Sequence, residues 1–167
     1  MLNMTSTDAI NLIESETLQP STIDMRYASG PFQHVMNMQP RKKAKVFEQM
    51  LRDIFTKTGH EVEDRDSGGY SFILDGDCID VIGSTMTKNN EFKLNQIRPN
   101  NEWDECYIVL VYPTSISILG MNKKTVNKCV KKGVFTRQHK GMEDTSATYA
   151  YSGSEDLLVA MGAAKVV

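Results

Sequence analysis

Long apolar runs are missing from this 167-residue chain. The longest, from Tyr107 to Tyr112, falls far short of the roughly 20 residues that cross a bilayer, which excludes a transmembrane helix. Cysteine is scarce too. Cys78, Cys106 and Cys129 are odd in number and widely spaced, so they supply neither a disulfide framework nor a zinc pattern. We read them as thiols in a reducing compartment, which makes the expected location cytoplasmic. The N-terminus, from Met1 to Asp8, has no basic start and no continuous apolar stretch, so no secretory signal is expected there. Neither sign of charge dominates: 19 Lys+Arg stand against 21 Asp+Glu, for a net charge of -2, and 40% of the residues are apolar. That balance excludes disorder as the main description. At roughly 100–200 residues per domain, residues 1–167 are expected to form a single domain with a sizeable core.

The small net charge hides a polarised distribution. Arg41, Lys42, Lys43, Lys45, Arg52 and Lys57 form a basic stretch, and Glu61, Glu63, Asp64, Asp66, Asp75, Asp77 and Asp80 an acidic one. Basic residues return between Met121 and Lys140, with no acid among them. An acidic centre between two basic stretches suits a protein that holds a divalent cation and grips a polyanion around it. Solvated helix faces produce the same runs, so charge alone leaves both readings open.

Hydrophobic periodicity supplies the fold class. A short helix capped by Thr7 or Asp8 is expected over residues 9–16, then loop with at most one helical turn over 21–40. Val46, Phe47, Met50, Leu51, Ile54 and Phe55 recur at spacings of three and four, which predicts an amphipathic helix ended by Thr58-Gly59. Residues 70–74 and 78–82 read as strands joined at Asp75-Gly76, a strong hairpin signal. Asp80 interrupts the second of these runs. Residues 86–101 are polar and fit a loop followed by a short helix or an extended segment. Residues 106–112 predict a central strand, buried on both faces, and residues 116–119 another. A helix capped by Asn122 and ended by Gly133 follows, then a strand over 148–151. A last helix opens at Ser154 with acids in its first turn and stops at Gly162. This order predicts an α+β fold, a mixed sheet with helices on its faces.

The stretch from Gly69 to Met86, GYSFILDGDCIDVIGSTM, resembles the core of the PD-(D/E)xK nucleases, the restriction-endonuclease-like fold. Members of that superfamily carry a Glu on a helix, then a hairpin bearing an Asp and a Glu-x-Lys. A segment ending in Gln-Ile-Arg and an apolar strand ending near a Pro come next. Here Phe47-Glu48 stands on the helix, Asp80 to Thr85 at the motif, and Phe92 to Arg98 at the following segment. Trp103 to Pro113 looks like the apolar strand, and Gly133 to Gly141 resembles a Gln-His-Gly-type segment. The resemblance spans residues 44–141, about six-tenths of the chain, and leaves residues 1–40 as an N-terminal extension.

The resemblance implies a central mixed sheet flanked by helices and Mg²⁺-dependent hydrolysis of phosphodiesters in double-stranded DNA. It implies Asp80 and Glu48 as metal ligands, with Glu48, Asp80, Lys93 and Gln96 as the catalytic set. It places Arg98, Arg137, Gln138, His139 and Lys140 near DNA, and the basic run adds Lys123 and Lys124 as phosphate contacts. By analogy with restriction enzymes it also implies a homodimer.

Two departures weaken the implied chemistry. The first metal-binding acid should stand nine residues before Asp80, where Ser71 is found. The lysine should stand two residues after it, where Ile82 is found. Isoleucine neither moves a proton nor stabilises a phosphorane. Lys88 or Lys93 could swing in as a substitute, and Asp75 is the nearest spare carboxylate, although as a flank of Gly76 it also reads as a turn residue. Asp80 itself reads either as a metal ligand or as the partner of Arg65, Lys88 or Lys93. Glu48 equally suits a solvent-facing helix position. Three function classes follow: a nuclease with a degenerate or relocated site, a catalytically silent DNA-binding or partner subunit, and a protein-interaction domain with no nucleic-acid role.

Overall fold

The computed structural model describes residues 24–66 and 68–166, so the helix expected over 9–16 lies outside the described residues. In chain order the described elements are α1 (Gln33–Asn37), α2 (Pro40–Lys57), β1 (Val62–Asp64), β2 (Phe72–Leu74), β3 (Asp77–Thr85) and β4 (Phe92–Ile97). After them come β5 (Glu105–Val111), β6 (Ile116–Asn122), α3 (Lys123–Lys131), β7 (Thr136–Arg137), β8 (Tyr149–Gly153), α4 (Glu155–Met161) and β9 (Ala164–Lys165). The fold class is α+β, with a mixed sheet and helices packed on it.

Six strands form the main sheet in the order β1-β2-β3-β5-β6-β9, and β4-β8-β7 form a second, smaller one. All pairs are antiparallel except β3 with β5, which run parallel from Ile79 opposite Glu105 to Thr85 opposite Val111. Strand β5 is central, as its apolar run predicts, and its alternation divides the core in two. Tyr107, Val109 and Val111 pack with Phe47, Leu51 and Phe55 of α2. Cys106, Ile108 and Leu110 pack with Leu94 of β4, Tyr151 of β8, Val126 of α3 and Leu158 of α4. The result is three layers: α2, the main sheet, then the small sheet with α3 and α4.

Helix α2 starts at Pro40, whose fixed φ and missing N–H suit the first helical position. It buries Phe47, Met50, Leu51, Ile54 and Phe55, the stripe expected from the sequence, and Gly59 follows its end at φ +85. Asn122 and Ser154 cap α3 and α4 by accepting hydrogen bonds from Thr125 and Leu157, as their positions predict. Glycine 162 ends α4 at φ +115. In the β2–β3 turn Asp75 and Gly76 have φ of 51 and 93, the left-handed pair a two-residue hairpin needs. All three cysteines are free.

The polar stretch over 86–101 resolves into extended structure as β4, on a sheet of its own. Chain preceding α2 joins the core: Tyr27, Phe32, Val35 and Met38 are buried with α2. Tyr27 donates to the Val111 carbonyl (2.8 Å) and its oxygen accepts from the Met86 N–H (2.9 Å), which ties this chain to the ends of β3 and β5.

Glycine 83 sets how closely α2 lies on β3. A Cβ there would fall 2.4 Å from the Phe47 ring and 2.9 Å from the Val109 carbonyl oxygen. Gly83→Ala is therefore expected to lower stability by about 1–3 kcal/mol through overpacking. Urea unfolding would read this as a lower midpoint at unchanged slope.

Candidate functional site

The resemblance predicts an acid on the returning strand of the hairpin, and β3 carries it at Asp80. Register places its neighbours. Ser71 sits next to β2, donates its N–H to Ile79 (2.7 Å), and accepts the Val81 N–H at its hydroxyl oxygen (3.2 Å). Counting nine residues back from Asp80 thus reaches a side chain that touches it in space, and that side chain is a hydroxyl. Ile82 is two residues along the same strand.

Asp80 opens into a cleft of about 520 Å³ that Ser71, Asp80 and Ile82 share with Lys93, Asn95, Gln96 and Arg98. Arg41 and Lys43 line it from the first turns of α2, and Arg65 from the loop after β1. Asp80 is the only acid among the described residues that line the cleft, against five cations. No described cation stands within ion-pair distance of Asp80. Of the two readings open for Asp80, the pairing with Arg65, Lys88 or Lys93 is therefore not seen; the Ser71 hydroxyl, the Val81 N–H and the charge of Arg98 nearby favour its ionised form. Lys88 acts instead on Asp24, and Asp75 is held in the turn by His60 (2.6 Å) and the Glu61 N–H (2.9 Å). Neither lines the cleft.

Glu48 lines an adjoining hollow of about 430 Å³ with Lys45, Gln49, Arg52 and Asp64. Arg65 and Ser71 line both spaces, so the two carboxylates flank the same serine. Arg52 approaches Glu48 to 4.0 Å and is held by Asp64 and by the Phe72 ring, 5.7 Å away. Burial nevertheless raises the Glu48 pKa. Among the described residues no three His, Cys, Asp or Glu side chains stand together as a metal group. The resemblance's two ligand candidates are Asp80 in the cleft and Glu48 in the adjoining hollow. That fits Mg²⁺, which typically binds one or two carboxylates and completes its shell with phosphate oxygens and waters.

The remaining expected residues divide between the cleft and its surroundings. Arg98 lines the cleft and donates to the Gln96 amide oxygen (3.0 Å). Gln138 reaches the same strand, accepting the Gln96 N–H (2.8 Å) and donating to Asn95 (3.1 Å). Lys123 donates to the Asn101 carbonyl (2.6 Å) and lies over the Trp103 ring, while Arg137 pairs with Asp144 (2.8 Å). Lys124, His139 and Lys140 are exposed and outside the cleft lining. Sequence reasoning did not place Arg41, Lys43, Tyr70, Asn101 or Asn95 at the site, and Asn95 is the one the local pattern could have found. Its signal is present: the apolar positions of β4 run 92, 94, 97, so the alternation slips by one residue. The structure shows that slip as an irregular register between Leu94 and Ile97.

No protein-family model matches the chain, and no curated protein does either.

Burial pushes the Asp80 pKa from 3.8 up to about 6; the Val81 N–H, Arg98 and Ser71 oppose the rise and Glu48 adds to it. The folded state therefore holds a proton more tightly than the unfolded chain. The stability this contributes is complete below about pH 4 and is lost as pH rises through about 6. Asp80→Asn, neutral throughout, should flatten that pH slope and raise stability near pH 8 by about 1–3 kcal/mol in chelator-treated protein. Thermal unfolding across that pH range reads both effects.

Proposed function

We propose that this domain binds double-stranded DNA in the cleft and acts as a restriction-endonuclease-like phosphodiesterase with a relocated active site. The observation that carries the reading is the convergence of Asp80 from β3 with Lys93, Gln96 and Arg98 from β4 and the chain after it, in one basic cleft. Five cations around one acid favour a polyanion over a neutral or cationic ligand. Lys93 is the substitute for the lysine missing at Ile82, because it lines the cleft and Lys88 does not. When held by Asp80 and Glu48, Mg²⁺ supplies Lewis-acid polarisation of a phosphate oxygen and a more acidic water. Lys93 places its ammonium against the charge that builds on the phosphoryl oxygens as water oxygen attacks phosphorus and the P–O bond to the leaving strand breaks. The attacking water loses its proton to solvent, and the departing oxygen gains one. A homodimer is the assembly that would cut both strands.

A second reading, a catalytically silent DNA binder, is favoured by Ile82 lining the cleft and by the hydroxyl of Ser71 at the first acid position. Incubation of supercoiled plasmid with Mg²⁺ or Mn²⁺ separates the two. Nicking or linearisation that falls at least about 100-fold in Asp80→Ala and Lys93→Ala supports the relocated site. Absent cleavage with salt-sensitive duplex binding intact establishes the silent binder. A protein that retains no duplex DNA at low salt sinks both. Lys93→Ala is expected to reduce the slope of log affinity against log salt by about one unit.

A further inference from the structure

Cations explain affinity for any DNA but not choice among sequences, because phosphate contacts carry no base information. Of the cleft's uncharged hydrogen-bonding side chains, Tyr70, Ser71, Ser84, Thr85 and Asn101 stand elsewhere on its walls, while the two amides Asn95 and Gln96 stand together at the irregular stretch of β4. Gln96 has φ +62, a conformation an L residue rarely adopts without a compensating reason. β4 is the outer strand of its sheet, and its register with β8 shifts at these residues, so both side chains leave the ladder exposed and line the cleft. A single side chain grips the stretch from outside. Gln138 accepts the Gln96 N–H (2.8 Å) through Oε1 and donates to the Asn95 Oδ1 (3.1 Å) through Nε2. The Gln138 backbone is itself tied by its N–H to the Thr148 carbonyl (2.9 Å).

We propose that the Asn95–Gln96 bulge, with Arg98, is the base-reading element of the cleft, and that Gln138 is the positioning residue that holds it. The inference rests on the DNA-binding reading. Side-chain amides carry a donor and an acceptor on one plane, which matches the N6/N7 edge of adenine, and a guanidinium matches the O6/N7 edge of guanine. Arg98 donates to the Gln96 Oε1 (3.0 Å), so the two groups present their edges as one unit. A surface that only gripped phosphates would have no use for a strained glutamine here. Glycine would take φ +62 without cost.

The test is selection of duplex DNA carrying a randomised centre, without divalent ions, by wild type, Gln96→Gly, Asn95→Ala and Gln138→Ala, alongside thermal unfolding of each. Wild type is expected to enrich a motif with adenine- or guanine-defined positions. In Gln96→Gly the preference for that motif over random duplex should fall about tenfold, with a melting temperature no lower than that of wild type. Asn95→Ala should relax a neighbouring position. Gln138→Ala should blur the motif at both, a change in preference that mere loss of stability does not produce. Salt-sensitive binding without enrichment overturns the base-reading role and leaves the DNA-binding reading standing. An unchanged motif in Gln96→Gly and Asn95→Ala also overturns it. No duplex binding at all overturns both.

Discussion

The parallel pairing of β3 with β5 is the constraint on which the rest of the molecule depends. Antiparallel neighbours can be joined by a tight turn, but parallel ones need a crossover that carries the chain back across the sheet. Here residues 86–104 make that crossover, and β4 lies within it. The strand cannot join the main sheet, whose order is already closed around β3 and β5, so it pairs with β8 above the second face. The Ser84 hydroxyl oxygen accepts the Lys93 N–H (3.2 Å), which pins the start of β4 to the end of β3. From that anchor Lys93, Asn95, Gln96 and Arg98 reach the space above Asp80. The cleft is thus a consequence of topology before it is a consequence of charge.

Charge then sets the cleft apart from an ordinary core. Asp80 has no cation in contact, although five cations line the same walls; the Ser71 hydroxyl and the Val81 N–H nearby favour its charge. A core built for stability alone would neutralise such an acid or replace it with an apolar group. Glu48 carries the same sign of strain despite Arg52. Two carboxylates raised by burial, on either side of one serine, are groups whose charged forms improve when a cation arrives. The surrounding arginines and lysines improve when an anion arrives. The function proposed above meets both demands at once, with a divalent cation for the carboxylates and a phosphodiester for the arginines and lysines.

Much of this was legible in the sequence where period and local chemistry agree. The α2 stripe, the Asp75-Gly76 turn, the caps at Asn122 and Ser154 and the buried β5 all follow from side chains within a few residues of one another. Asp80 stood out because an acid broke an apolar run. What escaped detection depends on pairing. β9 and β7 have two residues each, too few to show alternation, and exist because β6 and β8 offer them an edge. β4 read ambiguously since its alternation slips at Asn95, and a slip in a short segment looks like a loop until a partner strand fixes it. The company of Asp80 was also beyond reach: Arg65, Lys88 and Lys93 stood as its alternative partners, whereas the turn after β3 carries Lys88 away towards Asp24.

The division of labour between strands bears on how the site tolerates Ile82. Asp80 stands on a strand fixed on all sides by packing and pairing. α2 is pressed onto it at Gly83, β5 pairs along it from residue 79 to 85, and the hairpin locks its other side. A position on such a strand can change its chemistry only by changing the residue, and at 82 an apolar one lies where the resemblance expects a lysine. The cations and amides of β4 belong to an outer strand with an irregular register, braced by one glutamine. On such a strand fewer ladder bonds dictate which way a side chain faces. Chemistry missing from the wall that pairing fixes is therefore best sought on the irregular one, which is the physical reason for proposing Lys93 rather than a residue of β3 in the missing lysine's place.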